Sequence, residues 1–552
     1  MYRAERHIAK IRAEYLEHTV AAWSGYERMF LIELVRGLDE AAFALTLAPN
    51  RAELIREDTA RHYMLLGSAT AVRPFLAAVR NDPGGVPWVP TSHKLSSIAD
   101  QHLRNCGELA AVQRLAALER YGLAEAQFCS DDHLILEVES DDDDFAEVRS
   151  SAWLSEQARQ QLAASEARMA AIKSKVAANI DRYTDVHDGW FIRYDPDWEM
   201  IEYHRDCATM FAAGTTEADA LPGDAMLGGR SFAEWNETSI TAFGRVLHHI
   251  ACATRLKATR PSLELRDLFT VFARKDDILA TWQEVGQKRE EAERIVEALT
   301  LDIAGAAAAE RDCDVPLPYY IDFGRHFMLL PTFGGLLNPH AGLVWHLRRS
   351  YRSDWDRSVD GREQVFRHDL RRLFPGPRFF VPVHGIRLKR DDGTHLTDVD
   401  AVVLDSQTGA LNLVQLKWPD IYGRSLAERN SRRINLLKAN EWVGRVHDWI
   451  ADRSAADVAR VLGLGKAGSQ RPDILVIARH TARFSGEVGY DQRAHWISWP
   501  RLVQLRARFP ERDMSSLLAD ESQQPKNSPA RVRKGVTASH RLPGLKVDIR
   551  VS

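Results

Sequence analysis

The chain has 552 residues, enough for two to four domains, and its 45% hydrophobic and 27% charged content is that of a globular protein with room for sizeable cores. No apolar run approaches the roughly eighteen residues that span a bilayer, and residues 1–7 are charged at once, without the apolar core of a secretory signal. Five scattered cysteines (Cys106, Cys129, Cys207, Cys252, Cys313) form no CxxC pair, which sets aside a zinc ribbon and a disulfide framework; the expected setting is the reduced cytoplasm.

Net charge is only −4, but it is unevenly spread. Residues 344–512 hold 30 Lys and Arg against 20 Asp and Glu, whereas residues 1–343 hold 36 against 53. A basic stretch beside an acidic one suggests a polyanion partner for the basic part, or mutual attraction of the two.

In chain order, residues 1–130 read as mostly helical, with Ile8, Ile11 and Tyr15 near helical spacing and a loop at Asp82-Pro83-Gly84-Gly85. Residues 133–138 are a candidate strand, running into the acidic run Asp141-Asp142-Asp143-Asp144, read as a solvated loop. Residues 154–180 predict one long helix, and residues 232–258 and 263–301 return to helical patterning that continues through the alanines to about residue 310. Region 1–312 is thus expected to be an acidic, mostly helical regulatory, sensor or oligomerisation part. Pro316, Pro318, Gly334, Gly335 and Pro339 mark 313–343 as a linker or small connecting module. The basic tail, 513–552, contains Pro, Ser and Arg without periodicity and is expected to be disordered.

Between them, residues 344–512 predict an α/β module. Residues 361–374 form a helix with Phe366, Leu370, Leu373 and Phe374 on one stripe, and Glu363 on the same side. Residues 379–386 are a strand whose Pro382 implies an edge or bulge. Two β-rich runs follow, 396–404 and 411–418, joined by Asp405-Ser406-Gln407-Thr408-Gly409 as a hairpin. Alternation places Asp398 and Asp400 on one face of the first strand, and Gln415 and Lys417 on one face of the second. A turn centred on Gln407-Thr408 sets Asp400 opposite Gln415 and Asp398 opposite Lys417; a turn one residue later sets Asp400 opposite Lys417. In either register, opposed Cβ atoms lie about 5 Å apart, so a carboxylate, an amide oxygen and an ammonium gather at one point.

A helix over 425–450, with Ile434, Leu437, Val443, Val446, Trp449 and Ile450 inward, should then lead to a buried parallel strand at 472–478. A short strand at 495–498 and a helix at 501–508 close the module. Gly463-Leu464-Gly465-Lys466-Ala467-Gly468 matches GxGxxG but follows a helix and precedes a strand, the reverse of the dinucleotide-binding context. Arg424, Arg429, Arg432, Arg433 and Lys438 follow the second hairpin strand, where they could contact phosphates.

Helix with Glu363, strand with Asp400, strand with Gln415-x-Lys417, helix, strand: in this order residues 345–510 resemble the PD-(D/E)XK nuclease superfamily in its Gln-x-Lys variant. The chain is thus expected to be multidomain, with the mainly α-helical N-terminal region read above followed by what the resemblance implies, an α/β restriction-endonuclease-like (αβββαβ) domain. The resemblance implies Mg²⁺ (or Mn²⁺) held by Asp400, with Gln415 and Glu363 as further ligands. Lys417 would orient or help deprotonate the attacking water, and Asp398 would be auxiliary. Hard Mg²⁺ prefers oxygen ligands and keeps several waters, so one or two carboxylates suffice. The function so implied is hydrolysis of phosphodiester bonds in nucleic acid, DNA rather than RNA, by a restriction or phage-defence effector. No membrane is involved, and the helical region would serve a homo-oligomer or a partner protein. Gln in place of the commoner Glu at 415 removes one negative charge, which leaves two alternatives. One is a non-catalytic nucleic-acid-binding or interaction protein on the same fold; the other places the function in the helical half.

Overall fold

Amphipathic helical stretches dominate the first 350 residues, and in the computed structural model they surround one apolar core containing Phe30, Phe75, Trp235, Phe243, Trp282 and Phe323. The structure describes all residues except 1, 48–54, 123, 139–144, 421–425, 481–489, 524–536 and 552. The acidic run Asp141–Asp144 therefore lies outside the described residues. Among those described, no helix is long and apolar enough to cross a membrane.

The central element is the helix Glu27–Thr46, buried on nearly every side through Phe30, Leu31, Leu34, Val35, Leu38 and Ala42. A helix apolar all round belongs in the middle of a core, and this one packs against Ser68–Val79, His93–Ala117 and Phe333–Leu337. Its fully buried Asp39 accepts hydrogen bonds from the Thr332 and Phe333 N–H groups (2.8 and 2.9 Å) and from the Thr270 hydroxyl (2.6 Å). The 28-residue helix Phe232–Thr259 starts in a capping box between Ser231 and Glu234.

Four expectations for this region are corrected. The span 154–180 is two helices, Phe145–Gln160 and Ala163–Tyr183. The span 263–301 includes the strand Val271–Arg274 between its helices. Segment 313–343 is not a linker: its strands Tyr320–Phe323 and Phe327–Leu330 sit in a four-stranded sheet, and Ile321, Phe323, Leu329 and Phe333 belong to the main core. Its glycines answer to packing, since a Cβ on Gly334 or Gly342 would collide with the Pro318 or Leu317 main chain. Nor is the tail disordered where it is described. The strands Thr537–Leu542 and Leu545–Val551 form a hairpin whose second strand runs parallel to His133–Val138, so the chain end completes an N-terminal sheet. Burial of Leu545, Val547 and Ile549 against Leu134 and Leu136 supplies the apolar contact that composition alone did not reveal.

The module begins inside helix α1 (Arg352–Leu373), not at residue 344. Val344, Leu347 and Trp355 pack in the N-terminal core, while Phe366 and Leu370 pack in the next one. The expected strand 379–386 is only β1 (Phe379–Phe380), followed by β2 (Ile386–Lys389) in a separate ribbon, with Pro382 between them. β3 (His395–Val399) pairs with β2, whereas β4 (Ala401–Asp405) pairs with β1 and β5 (Leu411–Lys417), so the expected single strand over 396–404 breaks at Asp400. β4 and β5 pair Ala401 with Val414 and Leu404 with Leu411, the first of the two registers considered. Helices α2 (Leu426–Trp449) and α3 (Ala455–Val461) cross over to β6 (Asp473–Ala478), parallel to β5 and then to β7 (His495–Ser498); α4 (Trp499–Arg508) and α5 (Met514–Gln523) follow. The five-stranded sheet runs β1-β4-β5-β6-β7. One face carries Val403, Val414 and Leu416 against α1, α4 and α5; the other carries Val402, Leu413 and Val476 against Trp442, Val443 and Val446 of α2. Ile434 and Leu437, expected inward, are exposed on α2. Gly409 has φ 75° in the β4–β5 turn, and its carbonyl accepts from the Gly468 N–H (2.9 Å), so the last glycine of the GxGxxG run serves packing.

Candidate active site

The break between β3 and β4 falls at Asp400, which is buried. Its main-chain carbonyl leaves the ladder and accepts a hydrogen bond from the buried Arg367 guanidinium. Its carboxylate turns back to accept the N–H of Leu416 on β5 (2.8 Å). Arg367 also donates to the Val383 carbonyl (3.4 Å) and forms an ion pair with Glu363 one helical turn earlier. Helix α1, the strand break and β5 are thereby joined at one point.

Gln415 and Lys417 lie on the α2 face of β5, the same face as Leu413. Gln415 Oε1 is buried and has no hydrogen-bond partner among the described residues. A buried amide oxygen left unpaired is unfavourable by about 1–3 kcal/mol, so such a group calls for a partner, which a water or a bound cation can supply. Burial, reinforced by the nearby Glu363 carboxylate, pushes the Asp400 pKa up to about 7, against the pull of the Leu416 N–H, Lys417 and Arg367. Burial likewise lowers the Lys417 pKa, with Lys438 acting in the same direction and Asp400 and Glu363 opposing it. Asp400, Glu363 and Lys417 thus feel one another's charge, and Lys438, exposed on α2, stands near enough to join them.

Other expected residues fall elsewhere. Asp398 is not part of this cluster: it sits on β3 opposite Arg387, exposed, with its carboxylate near Arg387 (3.7 Å) and His395 (3.2 Å). The strand break removes it from the sheet that carries Gln415. Arg424 lies outside the described residues, as do the side chains of Arg429, Arg432 and Arg433. Arg367 was missed by sequence reading, although its place four residues after Glu363 is the usual signature of a helical ion pair.

Among the described residues, no three His, Cys, Asp or Glu side chains converge as a metal cage. The candidate donors here are oxygens: the Asp400 carboxylate, which feels the half-exposed (48%) Glu363 carboxylate, and the Gln415 amide at the neighbouring end of β5. An all-oxygen set of this size fits Mg²⁺ or Mn²⁺, which retain several waters, better than it fits zinc.

Because Arg367 holds two main-chain carbonyls and Glu363 at once, Arg367→Met is expected to destabilise the chain by about 2 kcal/mol through unsatisfied carbonyls. A denaturant midpoint shift, together with faster amide exchange around residues 399–401, is the measurement. Wild-type exchange there would show that the break holds itself. No protein-family model, curated protein or solved structure matches this chain, so the reading of the site rests on its geometry.

Proposed function

We propose that the chain is a metal-dependent nuclease of the Gln-x-Lys PD-(D/E)XK type that hydrolyses phosphodiester bonds, in DNA rather than RNA. One observation carries the reading: the buried Asp400, just before β4, feels the charges of Glu363 and the half-buried Lys417, and Gln415, on the same face of β5 as Lys417, has a buried amide oxygen with no partner among the described residues. The strand order and the helical crossover from β5 to the parallel β6 support the restriction-endonuclease-like assignment.

Asp400, Gln415 and Glu363 would hold Mg²⁺ or Mn²⁺, which when bound supplies a Lewis acid for a non-bridging phosphate oxygen. Lys417 faces the attacking water, orients it, helps to take its proton and offsets charge building on the phosphate. Lys438 lies along the path of the nucleic-acid backbone, where a cation favours phosphate without reading sequence. The basic module would take the polyanion, and the acidic helical region would regulate or sense, in the manner of a cytoplasmic restriction or phage-defence effector.

The test is incubation of the full chain with plasmid DNA or with RNA, in Mg²⁺ or Mn²⁺, beside Asp400→Ala. Metal-dependent cleavage lost in the variant is expected; cleavage that survives it removes this site from the reaction. Gln415→Glu adds a charged oxygen and is expected to tighten Mn²⁺ binding by about tenfold, since affinity for hard cations follows the charge count of the ligands. A calorimetric or paramagnetic titration reads it, and weaker binding would show that the amide is not a ligand. The ion pair that ties up Glu363, with an uncharged Gln415, favours one rival, a non-catalytic nucleic-acid-binding protein on the same fold. Binding without cleavage in every metal selects it.

A further inference from the structure

We propose that the N-terminal region completes this site, with Asp219 and Ala220 as positioning residues that set Glu363 and Lys417 against each other; the inference rests on the nuclease reading above. The short turn Thr216–Asp219 reaches the module beside the chain neighbours of both residues. Arg362, immediately before Glu363 and buried, donates from Nε and Nη2 to the Ala220 carbonyl (3.0 and 2.7 Å) and from Nη1 to the Trp418 carbonyl (3.2 Å). Trp418, immediately after Lys417, donates its indole N–H to the Asp219 carbonyl (3.2 Å).

The Asp219 carboxylate closes the clasp. It accepts from Nε and Nη2 of Arg479 (2.7 and 2.9 Å), whose guanidinium also lies over the Trp418 ring at 4.4 Å and donates to Asp369 (2.6 Å). The Arg479 main-chain N–H in turn donates to the Lys417 carbonyl (2.7 Å). Two consecutive residues of the acidic region therefore hold helix α1 one residue before Glu363 and strand β5 at and one residue after Lys417. Groups that orient ligands from behind are worth as much to a site as many direct contacts, because small displacements of the reacting groups are costly.

The experiment uses the full chain and compares Asp219→Ala and Trp418→Phe with wild type. kcat and KM on DNA with Mg²⁺ are measured separately, and Mn²⁺ affinity is measured by electron paramagnetic resonance without nucleic acid. In both variants kcat and Mn²⁺ affinity are expected to fall about tenfold, with KM within about twofold of wild type. Asp219→Glu, whose carboxylate can still reach Arg479, is expected to recover most of both. The Asp219 side chain is 41% exposed, so its removal leaves the core packed. Wild-type kcat and Mn²⁺ affinity in both variants, or a change in KM alone, would overturn the inference while leaving the nuclease reading standing. A wild-type chain that neither cleaves nor binds Mn²⁺ would sink that reading, and this inference with it.

Discussion

Lys417→Met is expected to lower single-turnover DNA cleavage by about 10³-fold while leaving DNA binding near wild type, because a positioned group that handles protons and charge at the reacting centre contributes on that scale. Methionine is of similar length without a charge, so the half-buried side chain is replaced without a cavity. The environment is what makes Lys417 suited to this role. Burial weakens its hold on a proton, and Asp400 and Glu363 restore part of it. Binding is measured in Ca²⁺, cleavage in Mg²⁺. A variant within tenfold of wild type would show that Lys417 is packing rather than chemistry, whatever the fate of Asp400.

A change far from the site should have the largest effect on stability. Asp39→Ala removes the acceptor for the Thr332 and Phe333 N–H groups and for the Thr270 hydroxyl, all within the N-terminal core. Each donor stranded in the interior is unfavourable by about 1–3 kcal/mol, so a loss of about 3–5 kcal/mol is expected, read as a drop in denaturant midpoint. Asp39→Asn keeps an acceptor oxygen and should lose less. The two carboxylate states also set a pH dependence. Burial pushes the Asp39 pKa up to about 7, although all its hydrogen-bond donors pull the other way. The unfolded chain releases that proton near pH 4, so between the two values the folded state binds more protons. The protonated group's contribution is complete below pH 4 and fades as pH rises through 7. Wild type should therefore lose stability relative to Asp39→Asn between about pH 4 and pH 7. A difference that stays flat across that window would place the Asp39 proton elsewhere.

Much of the module could be read from local pattern. The stripe Phe366, Leu370 and Phe374 does face the core, and the alternation in 411–417 gives the faces seen, with Gln415 and Lys417 together. The near-continuous apolar run at 473–478 is indeed a parallel strand buried on both sides. These follow from periods of 3.6 and 2, which a sequence displays directly. The α2 helix was misread at Ile434 and Leu437, where an apolar residue in helical spacing proved exposed.

What the residues alone determined is therefore the chemistry available: an acid, an amide and a lysine, on strands whose local register follows from the length of one turn. Tertiary structure decided where that chemistry is assembled. The break at Asp400 exists because Arg367, thirty-three residues earlier, takes its carbonyl; the clasp at Asp219 joins groups up to 260 residues apart; and the chain end found its partner in His133–Val138. Such contacts arise from the satisfaction of particular buried donors and acceptors across long loops, and no spacing along the chain announces them, because the closure of a loop depends only weakly on its length.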